Sequence, residues 1–357
     1  MKRIKSNIFA IIISFLIFIL IIDSKTAMGA AYEGIQLCIN TTIPSLFPIS
    51  VLSALLTTQL LGNHSKLSNM FAKLCKMPPG SESIFLMGLI SGYPIGAKNT
   101  IYAHQNGYIS TQTAKRMLMF CSNCGPAFIF GICMPLFTSN YALWLLWLVQ
   151  ILSAVLVANI NSSTDQTIIN IPNRNLSITQ VISSSLQAMA AVSGWIILFK
   201  VVLAFMDSWF LFAFSPTMAS IIKCTLELTN GIISLKDISN EGMRFILCAT
   251  GLSFGGVCVL MQTATLAGSL GIKAYIIGKL QQTILSLVLS AIVFLIHYQL
   301  QYGVFVTILS MIIFSICVII LQKPVEISRN IIYNTRKNRR GTAYVVSEKY
   351  RAPLRLL

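Results

Sequence analysis

Long apolar runs separated by short polar stretches dominate the chain. They fall at residues 8–22, 46–61, 117–137, 141–158, 181–206, 209–225, 280–296 and 303–321, each near the roughly 20 residues that a helix needs to cross the hydrocarbon core. The runs are continuous and lack the period-two alternation of a transmembrane barrel, so the pattern predicts helices. The expectation is an all-α polytopic membrane helical bundle of about eight spans.

Two further apolar segments do not read as simple spans. Residues 83–104 are interrupted by Gly92-Tyr93-Pro94-Ile95-Gly96, where proline removes a backbone donor and the glycines permit unusual dihedrals. Residues 245–268 carry Gly251 and Gly255-Gly256 but no proline. One offset along the chain aligns Gly88 with Gly251, Gly92 with Gly255, Asn99-Thr100 with Gln262-Thr263, and Arg116 with Lys279. The pattern predicts two broken or re-entrant helical hairpins in a two-fold internal repeat. A first span (1–25) would precede one repeat at 26–158 and a second at 178–321, with a tail at 322–357. Paired interrupted segments at matching positions point to a transporter's substrate site.

Irregular backbone at membrane depth is tolerated only inside protein or beside a wet cavity, so the first break should face the bundle interior. A new half-helix starting at Ala97 would turn free amides and a positive dipole end toward the break, which favours an anion. Lys98 lies in that first turn, and an intramembrane charge is by default a functional candidate. Its alternative is to snorkel to the membrane surface. Asn99, Thr100, Gln262 and Thr263 supply polar groups for a ligand or for gluing helices together. Gly92, Pro94 and Gly96 shape the break, and Tyr93 is available for stacking or for packing. Ser122 and Asn123, followed by Gly125-Pro126, interrupt the run at 117–137 and are expected to face the hairpin.

Composition narrows the class further: 55% of residues are hydrophobic and 10% charged, against about 25% charged in soluble proteins. The net charge of +16 sits in short loops and the tail, where Arg336, Lys337, Arg339 and Arg340 read as topology determinants attracted to anionic lipid, not as a nucleic-acid site. Threading the eight spans leaves Lys25 as the basic residue outside, placing both termini in the cytoplasm. Residues 1–30 also resemble a signal peptide, but an uncleaved first span keeps the charged ends on one side. Lys200 is expected to snorkel, and Lys223 with Glu227 to form an i,i+4 surface pair. The nine cysteines are scattered through apolar segments, and Cys121-x-x-Cys124 stands alone, so packing is the reading. His64, His104 and His297 are isolated. The chain carries no protease, ATPase or dinucleotide signature. It is read as no enzyme, with no cofactor and no metal.

The stretches PSLFPISVLSALL (44–56), MGLISGYPIGAKNT (87–100) and CSNCGPAFIFG (121–131) together resemble the sporulation integral membrane protein YlbJ family. The resemblance spans residues 30 to 320 and is strongest in the first half. It implies two copies of a nucleoside-recognition or Gate domain and a role in endospore formation, in a membrane derived from the mother cell. It also implies transport of dipicolinic acid, a planar dianion, needed for the spore cortex and core. The expected partner is a small anionic solute, with membrane lipid, a second copy or other sporulation proteins around it. A non-transporting assembly factor and a nucleoside transporter are the alternatives.

Overall fold

The computed structural model describes residues 2–61, 66–162 and 177–297. The eighth apolar run, the basic tail and His64 lie outside them. Among the described residues all regular structure is helical. α1 (Lys2–Ile22) meets α2 (Ser24–Leu37) at Asp23, whose carboxylate caps α2 by accepting from the Thr26 amide at 3.2 Å. A π turn at Cys38–Thr42 carries the helix straight on into α3 (Ile43–Leu60). The run at 46–61 is therefore the end of a 37-residue membrane-length rod, Ser24–Leu60. Lys25 and its neighbours belong to that rod, not to the loop expected there.

α4 (Lys66–Leu74), α5 (Glu82–Ser91), α6 (Ile95–Gln105) and α7 (Thr111–Leu118) are short. The run at 117–137 is no single span: α7 stops at Leu118, residues 119–125 are irregular, and α8 (Pro126–Ile132) restarts with proline where a free amide has no helical partner. α9 (Asn140–Ile160) and α10 (Ile178–Trp209) contain the runs at 141–158 and 181–206 whole. The run at 209–225 is also divided, because α11 (Pro216–Leu226) starts afresh behind a Ser215 cap. α12 (Leu228–Ser234), α13 (Glu241–Phe254), α14 (Gly256–Ala267) and α15 (Lys273–His297) complete the order. Among the described residues five segments have the length and apolarity to span a bilayer: Ser24–Leu60, Asn140–Ile160, Ile178–Trp209, Glu241–Leu270 and Lys273–Ile296.

The faces of these helices are reversed relative to a soluble protein. On α9, Trp144, Leu148, Leu152 and Leu156 point outward while Gln150 and Ser153 are fully buried. On α3, Leu52 and Leu56 face out while Ser50, Ser53 and Thr57 face in, and on α10 Leu186 and Leu198 face out while Ser185 faces in. Apolar exteriors around a hydrogen-bonded polar interior are what lipid demands. α10 packs along α2 and α3, α15 along α13 and α9, and α6 against α14, so the interrupted helices occupy the centre.

Arg116 pins one end of this bundle. Its guanidinium donates to the carbonyls of Cys75 (2.8 Å) and Lys76 (2.7 Å) beyond α4, and to those of Ala158 (3.0 Å) and Asn161 (2.7 Å) at the end of α9. The last carbonyls of a helix lack intrahelical partners and carry the negative end of its dipole, so one buried cation closes two helix ends. Arg116→Met should lower stability by about 3 kcal/mol, since charged hydrogen bonds are lost and buried carbonyls orphaned. Thermal unfolding in detergent tests this, and an unchanged melting temperature would contradict the capping role.

Candidate functional site at the helix breaks

The first hairpin is built around glycines whose missing side chains make room for another backbone. α5 and α6 fold back on each other through Gly92, at φ +81°, and a cis Tyr93–Pro94 peptide. A Cβ at Gly88 would lie 1.7 Å from the Cys121 carbonyl oxygen, and one at Gly96 would lie 1.8 Å from the same atom. Gly92 and Gly125 meet backbone to backbone, at 3.0 Å from either added Cβ. From the other side, Gly278 of α15 approaches the Met119 carbonyl, 2.2 Å from its added Cβ. The irregular 119–125 strand is thus clasped between α5, α6 and α15. The sequence presents Gly92 and Gly96 as shaping the break and Gly88 as part of the repeat alignment. The four-residue spacing of Gly88, Gly92 and Gly96, the signature of close backbone approach in membrane helices, was the available signal.

A wholly buried cation holds the clasp. Lys279 of α15 donates to Tyr93 Oη at 2.9 Å, to Gln282 Oε1 at 2.6 Å and to the Ser122 carbonyl. Three oxygens match the three N–H bonds of an ammonium. Gln282 in turn donates to Asn123 Oδ1 at 2.8 Å, and Asn123 to the Phe120 carbonyl at 2.8 Å. Tyr93 Oη donates to the Leu252 carbonyl at 3.0 Å on α13, so both interrupted segments meet at this network. Tyr93 packs its ring on Gly255 and is buried in the core. Sequence reasoning placed Lys279 beside a span, because the apolar run begins one residue after it.

The second segment breaks at Gly255 and Gly256, at φ +81° and +78°. Its halves do not form a back-folded pair like α5 and α6. α13 packs on α15 and α9, and α14 on α6 and α10. The expected second hairpin is a bend.

Lys98 sits elsewhere, on the face of α6 that meets α3 and α10. Its Nζ donates to Ser50 Oγ at 3.1 Å and Ser185 Oγ at 3.0 Å, and those hydroxyls lie 3.3 Å apart. It makes no ion pair among the described residues. Asn99 donates to Ser53 Oγ at 3.0 Å and Thr57 Oγ1 at 3.1 Å on α3. Thr100 and Thr263 spend their hydroxyl protons on the carbonyls four residues back, Gly96 at 2.9 Å and Val259 at 3.0 Å. Gln262 borders a cavity beside Gly92 and Tyr93. The residues expected to frame one ligand therefore divide in three: Lys98 and Asn99 toward α3 and α10, Ser122 and Asn123 in the Lys279 network, and Gln262 on the cavity.

Two other pairings differ from expectation. Lys200 does not reach outward alone but lies 3.2 Å from Glu33 and 2.8 Å from Asn230 Oδ1. Lys223 pairs with Asp207 at 2.7 Å. Glu227 lies beyond the end of α11 and caps α12, accepting from the amides of Thr229 at 3.0 Å and Asn230 at 2.7 Å. The eight described cysteines are free and buried.

The lipid-suited surface, the polar interior and the interrupted central helices define a polytopic integral membrane protein. Over 150 residues the chain is 28% identical to the sporulation integral membrane protein YlbJ of Bacillus subtilis (strain 168). That alignment covers 41% of this chain and 36% of the relative, so the chain matches about a third of the relative's length. No protein-family model matches the chain, and the Gate-type repeats rest on the resemblance alone. No solved structure matches.

Proposed function

We propose that the chain is a secondary transporter or facilitator that moves a small anionic solute across a membrane during endospore formation. Lys98 carries the reading. It is a half-buried lysine on a half-helix that starts at a break inside a membrane bundle, and among the described residues it is held by two neutral serines and has no carboxylate partner. An uncompensated cation in such a place favours an anion, and the hydroxyls of Ser50 and Ser185 can rotate to donate to one. Dipicolinate enters as the first candidate through the likeness to YlbJ-type proteins.

Reconstitution into liposomes with labelled dipicolinate, phosphate or uridine tests the proposal. Uptake of an anion in preference to uridine is expected. Selective uridine uptake would favour nucleoside transport, and no uptake of any solute would favour the non-transporting assembly factor.

Both termini are assigned to the cytoplasm on the asymmetry of basic residues. A cysteine introduced beside Arg340 should remain unlabelled by an impermeant thiol reagent in intact cells and react once they are opened. Labelling in intact cells reverses the orientation.

A further inference from the structure

The structure also holds a chamber with chemistry opposite to that of Lys98. A cavity of about 210 Å³ lies between the π turn, the α5–α6 break, α8, α10 and the start of α12. Its volume falls below the roughly 300–1,000 Å³ of pockets for drug-sized ligands, so its occupant is small. Its surface is mostly apolar, with Leu46, Phe128 and Ile196 in the wall. Among the described residues of the lining Glu227 alone is charged, with 4% of its surface exposed. Ser91, also 4% exposed, lines the same space, and its Oγ has no hydrogen-bond partner among the described residues.

These two groups select a class of ligand. The Glu227 carboxylate makes its described hydrogen bonds to neutral donors, the two α12 amides and Asn230 Nδ2 at 2.6 Å, and it forms no ion pair among the described residues. A buried anion left unpaired is costly, and a cation in the chamber would relieve it. A buried hydroxyl without a partner costs about 1–3 kcal/mol until something accepts from it or donates to it. An anion would instead face a carboxylate with no basic side chain in the wall.

Two outer depressions adjoin the chamber. An outer depression of about 520 Å³ is lined by Lys200, Lys223, Lys236, Glu33, Asp207 and Asp237. A middle depression of about 350 Å³ shares Glu33, Lys200 and Asn230 with it, and shares Thr41 and Thr229 with the chamber. A line of polar contacts runs alongside them, from Glu33 to Lys200 at 3.2 Å, on to Asn230 at 2.8 Å, and then to Glu227 at 2.6 Å.

We propose that this chamber is a binding site for a small amphipathic monocation, its ammonium at Glu227 and Ser91 and its apolar body against Phe128 and the aliphatic wall, entered through the Lys200–Glu33 vestibule. The site is distinct from Lys98 and goes beyond the anion reading.

Calorimetry on the purified full chain in detergent, with benzylammonium, benzyl alcohol and benzoate as probes of one shape and three charges, tests it. Benzylammonium should bind, benzyl alcohol more weakly and benzoate not at all. Glu227→Gln should weaken benzylammonium about tenfold or more and bring it level with the alcohol, as expected for losing a charged hydrogen bond. Ser91→Leu, which adds bulk to the chamber wall and keeps the Glu227 side chain, should remove binding of both. Benzoate binding as tightly as benzylammonium overturns the proposal. So does the absence of binding by all three probes, or benzylammonium affinity unchanged within twofold in both variants.

Discussion

Gly96→Ala should prevent assembly of the bundle, and Gly88→Ala should do the same. Each added methyl carbon would fall far inside the van der Waals contact distance to the Cys121 carbonyl oxygen, at 1.8 and 1.7 Å. The obstacle is backbone, which cannot rotate away as the tip of a side chain can. Relief would require α5 and α6 to part or the 119–125 strand to withdraw. Withdrawal breaks the Ser122 and Asn123 contacts to Lys279 and Gln282. Ordinary overpacking of a core costs about 1–3 kcal/mol, and here the loss of a buried charge's partners adds to it. The expected result is a collapse of the monodisperse peak in detergent size-exclusion chromatography. Gly194→Ala is the control, because its added Cβ meets nothing within 4 Å and alanine is the better helix former. If Gly96→Ala runs as well as Gly194→Ala, the clasp is wrong.

The clasp marks the boundary of what pattern alone reveals. Tyr141 to Ala158 and the run within α10 were legible because apolar length is a one-dimensional property. The division of 209–225 was not, because Phe210, Leu211 and Phe212 are as apolar as a span while Ser215 and Pro216 form a new helix start. Hydropathy counts the first and is blind to the second. At the site, the break at Gly92-Tyr93-Pro94 was visible in the residues themselves. The partners were not, since Lys279, Gln282 and Leu252 come from far along the chain and meet Tyr93 and Asn123 only in the packed bundle. The aligned cations Arg116 and Lys279 illustrate the same limit: both are buried, yet one closes helix ends and the other grips an unwound strand.

Lys98→Ala should reduce anion transport by about two to three orders of magnitude while leaving the protein folded. The removal of one partner from a buried charge interaction costs about 3–5 kcal/mol, and each 1.4 kcal/mol is tenfold in affinity. The fold should survive because the serines that Lys98 joins already lie 3.3 Å apart and can bond to each other. Lys98→Arg keeps the charge but brings a planar, wider head to a gap sized for an ammonium, so partial transport is expected. Ser50→Ala and Ser185→Ala should each lose less, about tenfold, because the cation remains while one orienting hydroxyl goes. A lysine that merely reached for the membrane surface would give another pattern, with transport near wild type in Lys98→Ala and no sensitivity at either serine. Lys200→Ala measures that background, since Lys200 pairs with Glu33 and Asn230 away from α6. Uptake rates at matched protein content in liposomes separate the two. Wild-type rates in Lys98→Ala would remove the anion site from this face of α6.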